Sequence, residues 1–146
     1  MNKYLLDTST CSLLMQDNSR VKGRLDSLTE SDYHFTCLIV KGEIFFGIVR
    51  LPDGKRRRDL EQRAIELFAI VPCDPIPERV GDVYAEIKIA AQEQGTSLGE
   101  CDLWIAATAL SLDAILVASD SDYERIVRLG LRLEDWKINE RDISRQ

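Results

Sequence analysis

The chain has 146 residues, of which 45% are hydrophobic and 30% are charged, and this is enough for one globular domain with a sizeable core. The net charge of −6 argues against nucleic-acid binding through bulk positive charge, and no apolar run approaches the roughly 18 residues of a membrane span. The apolar run near the N-terminus is too short for a signal peptide, which favours a cytoplasmic protein with no membrane partner.

Strand-like and helix-like segments alternate along the sequence, which indicates the α/β class. Apolar and β-branched runs predict strands at residues 3–7, 32–37, 69–74, 114–119 and 131–136. Helical spacing of apolar residues predicts helices at 8–15, 18–28, 39–51, 55–70, 77–95 and 98–112, and a helical turn at 121–126. This alternation predicts a central parallel sheet flanked by helices, in a single domain spanning residues 1–146 whose polar end, 137–146, is a loose or helical tail.

The cysteines and the histidine narrow the possible chemistry. The four cysteines show no CxxC spacing, so a zinc site is not expected and most of them should be reduced core residues; they are Cys11, Cys37, Cys73 and Cys101. The single histidine, His34, lies in the predicted strand "DYHFTC", where a packed or edge position is expected. Serine or cysteine nucleophiles activated by histidine are therefore disfavoured.

Several carboxylates occur among apolar residues. Asp7 ends the strand "YLL", Glu43 lies within "LIVKGEIFFGI", and Asp102 begins "DLWIAATAL". Asp120 and Asp122 follow the apolar run "AILVAS". Each acid alone could cap a helix or lie at a solvated strand end. Together they suggest an acidic pocket beyond the carboxyl ends of the strands, where Mg²⁺ or Mn²⁺ would find the oxygen ligands they prefer.

Four segments support a resemblance to a known family. They are "YLLDTSTCSLL", "IVKGEIFFGI", "GTSLGECDLWIAATAL" and "ILVASDSDYERIVRLGLRLEDW". With these segments in this order, nearly the whole chain resembles a PIN domain, in particular the VapC-type toxin ribonucleases of bacterial toxin–antitoxin pairs. The resemblance implies a three-layer α/β/α fold and an endoribonuclease that depends on Mg²⁺ or Mn²⁺. It also implies a homodimer, a VapB-type antitoxin partner, and an RNA substrate for which tRNA is one candidate.

The resemblance also assigns roles to the acidic residues. Asp7, Glu43 and Asp102 would be the core carboxylates that bind metal and support catalysis. Asp120 and Asp122 compete for the place of a fourth acid, and both are candidate metal ligands. Asp120 is favoured for catalysis because it is nearer the end of the strand.

Hydroxyl residues near these acids are candidates for binding substrate phosphate or metal-bound water, namely Thr8, Ser9 and Ser119. Some positions depart from the usual PIN pattern. Ser9 replaces a common Asn, Ala118 and Ser119 replace a Thr-Asn or Thr-Arg pair, and Val40 replaces Ser or Thr. These departures bear on substrate contacts more than on the metal site.

A basic run opens the predicted helix 55–70, and its members are candidate contacts for substrate phosphate: Lys55, Arg56, Arg57 and Arg58. The alternative is a solvated helix face. Positive charge at a helix N-terminus is locally unfavourable, which is consistent with a role other than helix stability. Tyr123 and Trp104 are candidates for stacking on bases, although a core role is favoured for Trp104.

Three other functions remain as alternatives. A phosphatase of the haloacid dehalogenase type needs a second Asp two residues after the first, and this chain has Ser9 there. A receiver-like signalling domain needs an acidic pair near the first strand and a late lysine, neither of which is evident. A PIN-like domain that only binds a partner is disfavoured because the pocket acids are present.

Overall fold

The computed structural model describes residues 1–95, 98–119, 123–124 and 126–138, whose strands form one parallel sheet. The strands are β1 (Lys3–Leu6), β2 (Tyr33–Cys37), β3 (Cys73–Asp74), β4 (Ile115–Val117) and β5 (Arg132–Glu134). Their order in the sheet is β3-β2-β1-β4-β5, and every pairing is parallel. The prediction of a central parallel sheet is therefore confirmed.

The helices of the described residues connect these strands. They are α1 (Thr8–Met15), α2 (Ser19–Asp26), α3 (Leu38–Val49), α4 (Lys55–Ile70), α5 (Val80–Glu93) and α6 (Glu100–Ser111), with a 3₁₀ turn at Val127–Leu129. The connections from β1 to β2 and from β2 to β3 step in one direction, whereas the connection from β3 to β4 returns across the sheet. Since parallel crossovers are nearly always right-handed, α1 to α4 cover one face and α5 and α6 the other. This is the predicted three-layer α/β/α arrangement.

The direction of the connections reverses between β1 and β4. The chain leaves β1 towards β2 and leaves β4 towards β5, so the connections that follow these two paired strands diverge. Open α/β sheets bind ligands at such a switch point because the diverging connections leave a crevice there. The residues after β1 and β4 are therefore placed at the expected ligand site.

Local sequence explains where several helices begin and end. The side chain of Asp7 accepts a hydrogen bond from the N–H of Thr10, and Asn18 caps α2 in the same way. Gly95 follows the end of α5 with φ of 66°, a left-handed conformation that glycine adopts without steric cost. Asn18 and Gly95 thus mark the start of α2 and the end of α5.

The core lies on both faces of the two central strands. Leu5, Leu6, Leu116 and Val117 are fully buried, and each contributes about 1.5–3 kcal/mol through removal of its side chain from water. Helix α6 is buried over most of its circumference, because its buried residues point both to the sheet and to α5. An acid at the start of so apolar a helix is held firmly in place.

One predicted strand is shorter than expected. Residues 69 and 70 belong to α4 rather than to a strand, and only Cys73–Asp74 pair with β2. The N–H of Val71 still bonds to Leu67 in the helical manner, so local helical bonding prevails over the β-branched composition. The helix predicted from residue 77 begins at Val80.

His34 and the cysteines occupy mixed environments. The Nε2 atom of half-buried His34 lies 3.0 Å from the carbonyl oxygen of Ile70, which confirms a packed position. Cys11 and Cys37 are buried free thiols, whereas Cys101 is exposed. The predicted turn 121–126 and tail 137–146 lie partly outside the described residues. Among the residues that are described, no helix has both the length and the apolarity needed to cross a bilayer.

A candidate acidic active site

A cavity of about 310 Å³ opens at the switch point between β1 and β4. Its lining contains the three predicted core acids together with hydroxyl residues: Asp7, Thr8, Ser9, Glu43, Asp102, Ser119 and Tyr123. These residues come from four separate parts of the sequence. The fold thus brings together the acids that the sequence marked as unusual.

Asp7 joins β1 to α1 and is 5% exposed. Its backbone N–H donates to the carbonyl of Val117 at 3.1 Å, which extends the pairing of the central strands. Its side-chain Oδ1 accepts the N–H of Thr10 at 2.9 Å, and the Ser9 hydroxyl lies 3.1 Å from both carboxylate oxygens. The carboxylate is therefore fixed by its own helix and turned into the cavity.

Glu43 enters the cavity from α3, where it is half-buried. The hydroxyl of Thr8 donates to Glu43 Oε1 at 2.6 Å. A hydrogen bond to a charged acceptor is typically short and about twice as strong as a neutral one. This contact ties the first turn of α1 to the middle of α3, and it explains why an acid is accommodated in so apolar a helix.

Asp102 enters the cavity from the first turn of α6, where the helix dipole favours a negative charge. The hydroxyl of Tyr123 donates to Asp102 Oδ1 at 2.9 Å. Each of the three acids thus accepts a hydrogen bond from a neighbouring hydroxyl group.

Burial and charge act together on Asp7. Burial raises the pKa of the Asp7 carboxyl above 3.8, and the nearby charge of Asp102 raises it further, while hydrogen bonds from Thr10 and Ser9 lower it. The net effect is a raised pKa. A bound cation would offset the cost of keeping this buried group ionised.

The residues fit a hard divalent cation in the chemistry of their donors, because the cavity presents carboxylate and hydroxyl oxygens. Their spacing is more open than that of a closed metal cage. Over the ranges that the structure describes, no three His, Cys, Asp or Glu side chains are grouped closely enough to hold one ion.

The remaining predicted site residues have different positions. Thr8 and Ser9 line the cavity and donate to its acids, and exposed Ser119 lies at its edge. Asp120 and Asp122 lie outside the described residues, so the choice between them stays a prediction.

The basic run is not part of the cavity lining. Arg57 forms ion pairs with two nearby acids. Its guanidinium nitrogen atoms lie 3.3 Å from a carboxylate oxygen of Asp53 and 3.0 Å from one of Glu61. Lys55, Arg56 and Arg58 are exposed and make no ion pair with a described residue. The run therefore divides into one structural arginine and three outward cations.

The aromatic candidates also differ from the sequence prediction. The prediction that Tyr123 stacks on bases is wrong, because its ring is 1% exposed and its hydroxyl is bonded to Asp102. Trp104 is half-buried and stacks on Tyr84, with ring centroids 3.8 Å apart. No simple sequence signal joins Tyr123 to Asp102, since the contact depends on how α6 and β4 cross.

The fold and the site define an open parallel α/β domain whose acids, from separate elements, meet at the switch point where such sheets bind ligands. The family model described as "PIN domain" matches residues 4–129. The chain belongs to the PIN-domain family, as the sequence resemblance predicted.

Similar proteins include Toxin FitB of Neisseria gonorrhoeae, which is 38% identical over 113 residues and covers 72% of this chain and 78% of its own. Ribonuclease VapC1 of Haemophilus influenzae strain R2866 is 29% identical over 144 residues, covering 91% and 97% of the two chains. One of these relatives is named as a toxin and the other as a VapC ribonuclease, which confirms the predicted VapC-type resemblance.

Solved structures agree with the fold. The VapBC-1 structure from nontypeable Haemophilus influenzae superposes with a TM-score of 0.80 at 25% identity and covers 93% of this chain and 99% of that chain. FitAB bound to an IR36 DNA fragment gives 0.76 at 28% identity, with coverage of 94% and 97%. VapBC2 from Rickettsia felis, bound to a DNA fragment from its promoter, gives 0.83 at 21% identity, with coverage of 92% and 98%.

Proposed function

We propose that this chain is a metal-dependent endoribonuclease and the toxin of a toxin–antitoxin pair. The observation that supports this most strongly is the convergence of Asp7, Glu43 and Asp102 on one cavity at the switch point of a PIN domain. Relatives named as a ribonuclease and as a toxin point to the same activity.

In this proposal the three acids, with Asp120 or Asp122 as the fourth, hold Mg²⁺ or Mn²⁺. Such a cation, when bound, lowers the pKa of a water molecule and offsets negative charge on the phosphodiester. The chain's own residues orient the site: Thr10 and Ser9 fix the Asp7 carboxylate, and Thr8 fixes Glu43. Exposed Ser119 at the cavity edge is suited to donate to a phosphate oxygen.

The family resemblance also supports a set of partners. We place the protein in the cytoplasm, as a homodimer inhibited by a VapB-type antitoxin whose tail covers the acidic cavity. The solved relatives named VapBC and FitAB support this kind of partner. The substrate is RNA, with tRNA as one candidate.

A second candidate function is a PIN domain that binds a partner without cleaving RNA. The open spacing of the three acids, which form no closed group within the described part of the chain, favours this alternative. RNA cleavage by the purified chain separates the two functions.

Asp7→Asn, Glu43→Gln and Asp102→Asn should each reduce RNA cleavage by at least about a hundredfold, since even changes to residues that only support metal ligands cost 10–100-fold. The measurement is sequencing of RNA 5′ ends after brief expression of each variant. Asp82→Asn is the matched control, because Asp82 is an exposed acid on α5. If one of the three variants cleaves RNA as well as the wild type does, its residue is not part of the site. If expression of the wild-type chain produces no new RNA ends, the nuclease function is contradicted.

A further inference from the structure

The hydroxyl partners of the three acids come from two different places. Thr8 and Ser9 belong to the first turn of α1, directly beside Asp7. Tyr123 instead follows β4, and it reaches Asp102 across 21 positions of sequence. Among the described residues that line the cavity, Tyr123 is the one with an aromatic ring.

The hydroxyl of Tyr123 belongs to a buried residue, so it needs a hydrogen-bond partner. The ring is 1% exposed and belongs to the main hydrophobic core. A phenylalanine would fill the same space without a polar atom, whereas a buried hydroxyl is costly unless it is hydrogen-bonded. Here the hydroxyl bonds to the acid of the cavity, with Oη and Oδ1 2.9 Å apart.

The contact fixes the direction of the Asp102 carboxylate. Asp102 Oδ1 faces Tyr123, while Asp102 Oδ2 faces Gly99. A Cβ atom built on Gly99 would lie 3.9 Å from this Oδ2 atom. The packed ring holds the donor in place, so the carboxylate cannot rotate without losing a charge-assisted hydrogen bond. Asp102 is thus oriented from outside its own helix.

We infer that Tyr123 is a positioning residue, which orients Asp102 so that the carboxylate presents a fixed oxygen to a divalent cation in the cavity. This inference rests on the proposed metal-dependent function. Tyr123 acts through Asp102, because its hydroxyl bonds to that carboxylate and thereby joins Tyr123 to α6. Partners of this kind typically change metal affinity or activity by 10–100-fold when removed.

The test is calorimetric titration of the purified full-length chain with Mn²⁺, comparing wild type, Tyr123→Phe, Tyr84→Phe and Asp102→Asn. Tyr123→Phe keeps the ring and removes only the hydroxyl, and we expect a 10–100-fold weaker Mn²⁺ affinity. Tyr84→Phe is a matched control, because the Tyr84 hydroxyl also bonds to an acid in the first turn of α6, Glu100, outside the cavity. Its Mn²⁺ affinity should equal that of the wild type.

Melting temperatures in EDTA show whether each variant is folded, so that loss of affinity is separated from loss of structure. Wild-type affinity in Tyr123→Phe, with Mn²⁺ binding lost in Asp102→Asn, overturns the role of Tyr123 and leaves the metal site standing. Equal losses in Tyr123→Phe and Tyr84→Phe also overturn it, since a general loosening of α6 would then explain both. Unchanged Mn²⁺ affinity in Asp102→Asn overturns the proposed metal site and the role of Tyr123 together.

Discussion

Asp7 stabilises the fold as a helix cap and destabilises it as a buried ionised group. As the cap of α1 it contributes on the order of 1 kcal/mol, through a hydrogen bond that Asn would also make. As a buried acid near Asp102 it has a raised pKa, so its ionised form costs stability in the absence of metal. The fold keeps a carboxylate where an amide would be easier to bury, which is the expected signature of a functional acid.

Asp7→Asn should therefore raise the melting temperature in EDTA at neutral pH. The pKa of Asp7 is higher in the folded than in the unfolded chain, so the cost of ionisation is present above the folded pKa. It fades as the pH falls through the folded pKa and is absent below the unfolded value near 3.8. Melting curves of both proteins from pH 7 downwards should converge in acid. A gain of the same size at every pH would show that ionisation of Asp7 is not the cause.

Asp120 and Asp122 are the two candidates for the fourth acid of the site, and single substitutions distinguish them. Asp120→Asn should weaken Mg²⁺ or Mn²⁺ binding and RNA cleavage strongly, because Asp120 directly follows the run that ends β4. Asp122→Asn should cost about 1 kcal/mol or less, since Asn also caps a turn well, and should keep most activity. Metal titration of the two variants decides between them. The reverse pattern would assign the role to Asp122, and equal losses would assign it to both.

At the scale of secondary structure elements, helix α4 separates two kinds of basic residue. Arg57 pairs with Asp53 before the helix and with Glu61 inside it, and the pair within the helix contributes about 0.3–0.5 kcal/mol. Lys55, Arg56 and Arg58 point to solvent from the same turn. In a chain with a net charge of −6, three outward cations in one helical turn form a local site of opposite sign.

Changing Lys55, Arg56 and Arg58 together to Ala should weaken RNA binding and reduce its salt dependence. If all three contact phosphates of single-stranded RNA, the slope of log affinity against log salt falls by about 2. The measurement is a binding titration at several salt concentrations in an Asp7→Asn background, which keeps the RNA intact. Arg57→Ala is the control and should leave the slope unchanged. An unaltered slope in the triple variant would identify a solvated helix face.

Elements were predictable where one local force dominated. The helical spacing in α3 and α4 and the caps at Asp7 and Asn18 follow from short stretches of sequence. The strand predicted at 69–74 is present only at Cys73–Asp74, because the apolar residues at its start serve equally well as the last turn of a helix. Apolar composition without a clear period does not distinguish these two states.

At the scale of the whole molecule, the α/β class and the convergence of Asp7, Glu43 and Asp102 could be predicted, since parallel strands share one carboxyl edge. The order of the strands could not, because several orders satisfy the same local patterns. Contacts that depend on this order were also missed. The bond from Tyr123 to Asp102 required the three-dimensional path of the chain.

The position of β1 between β2 and β4 also determines when the sheet can be completed during translation. β4 leaves the ribosome roughly 110 residues after β1, which at about 5–20 residues per second is on the order of ten seconds. During that interval the nascent chain has Asp7 and Glu43, yet its central strand has one open edge and Asp102 is still to come. A ribosome making this chain therefore holds no finished acidic cavity until α6 and β4 have been synthesised. Products truncated before β4 would leave one edge of the apolar strand β1 without its partner.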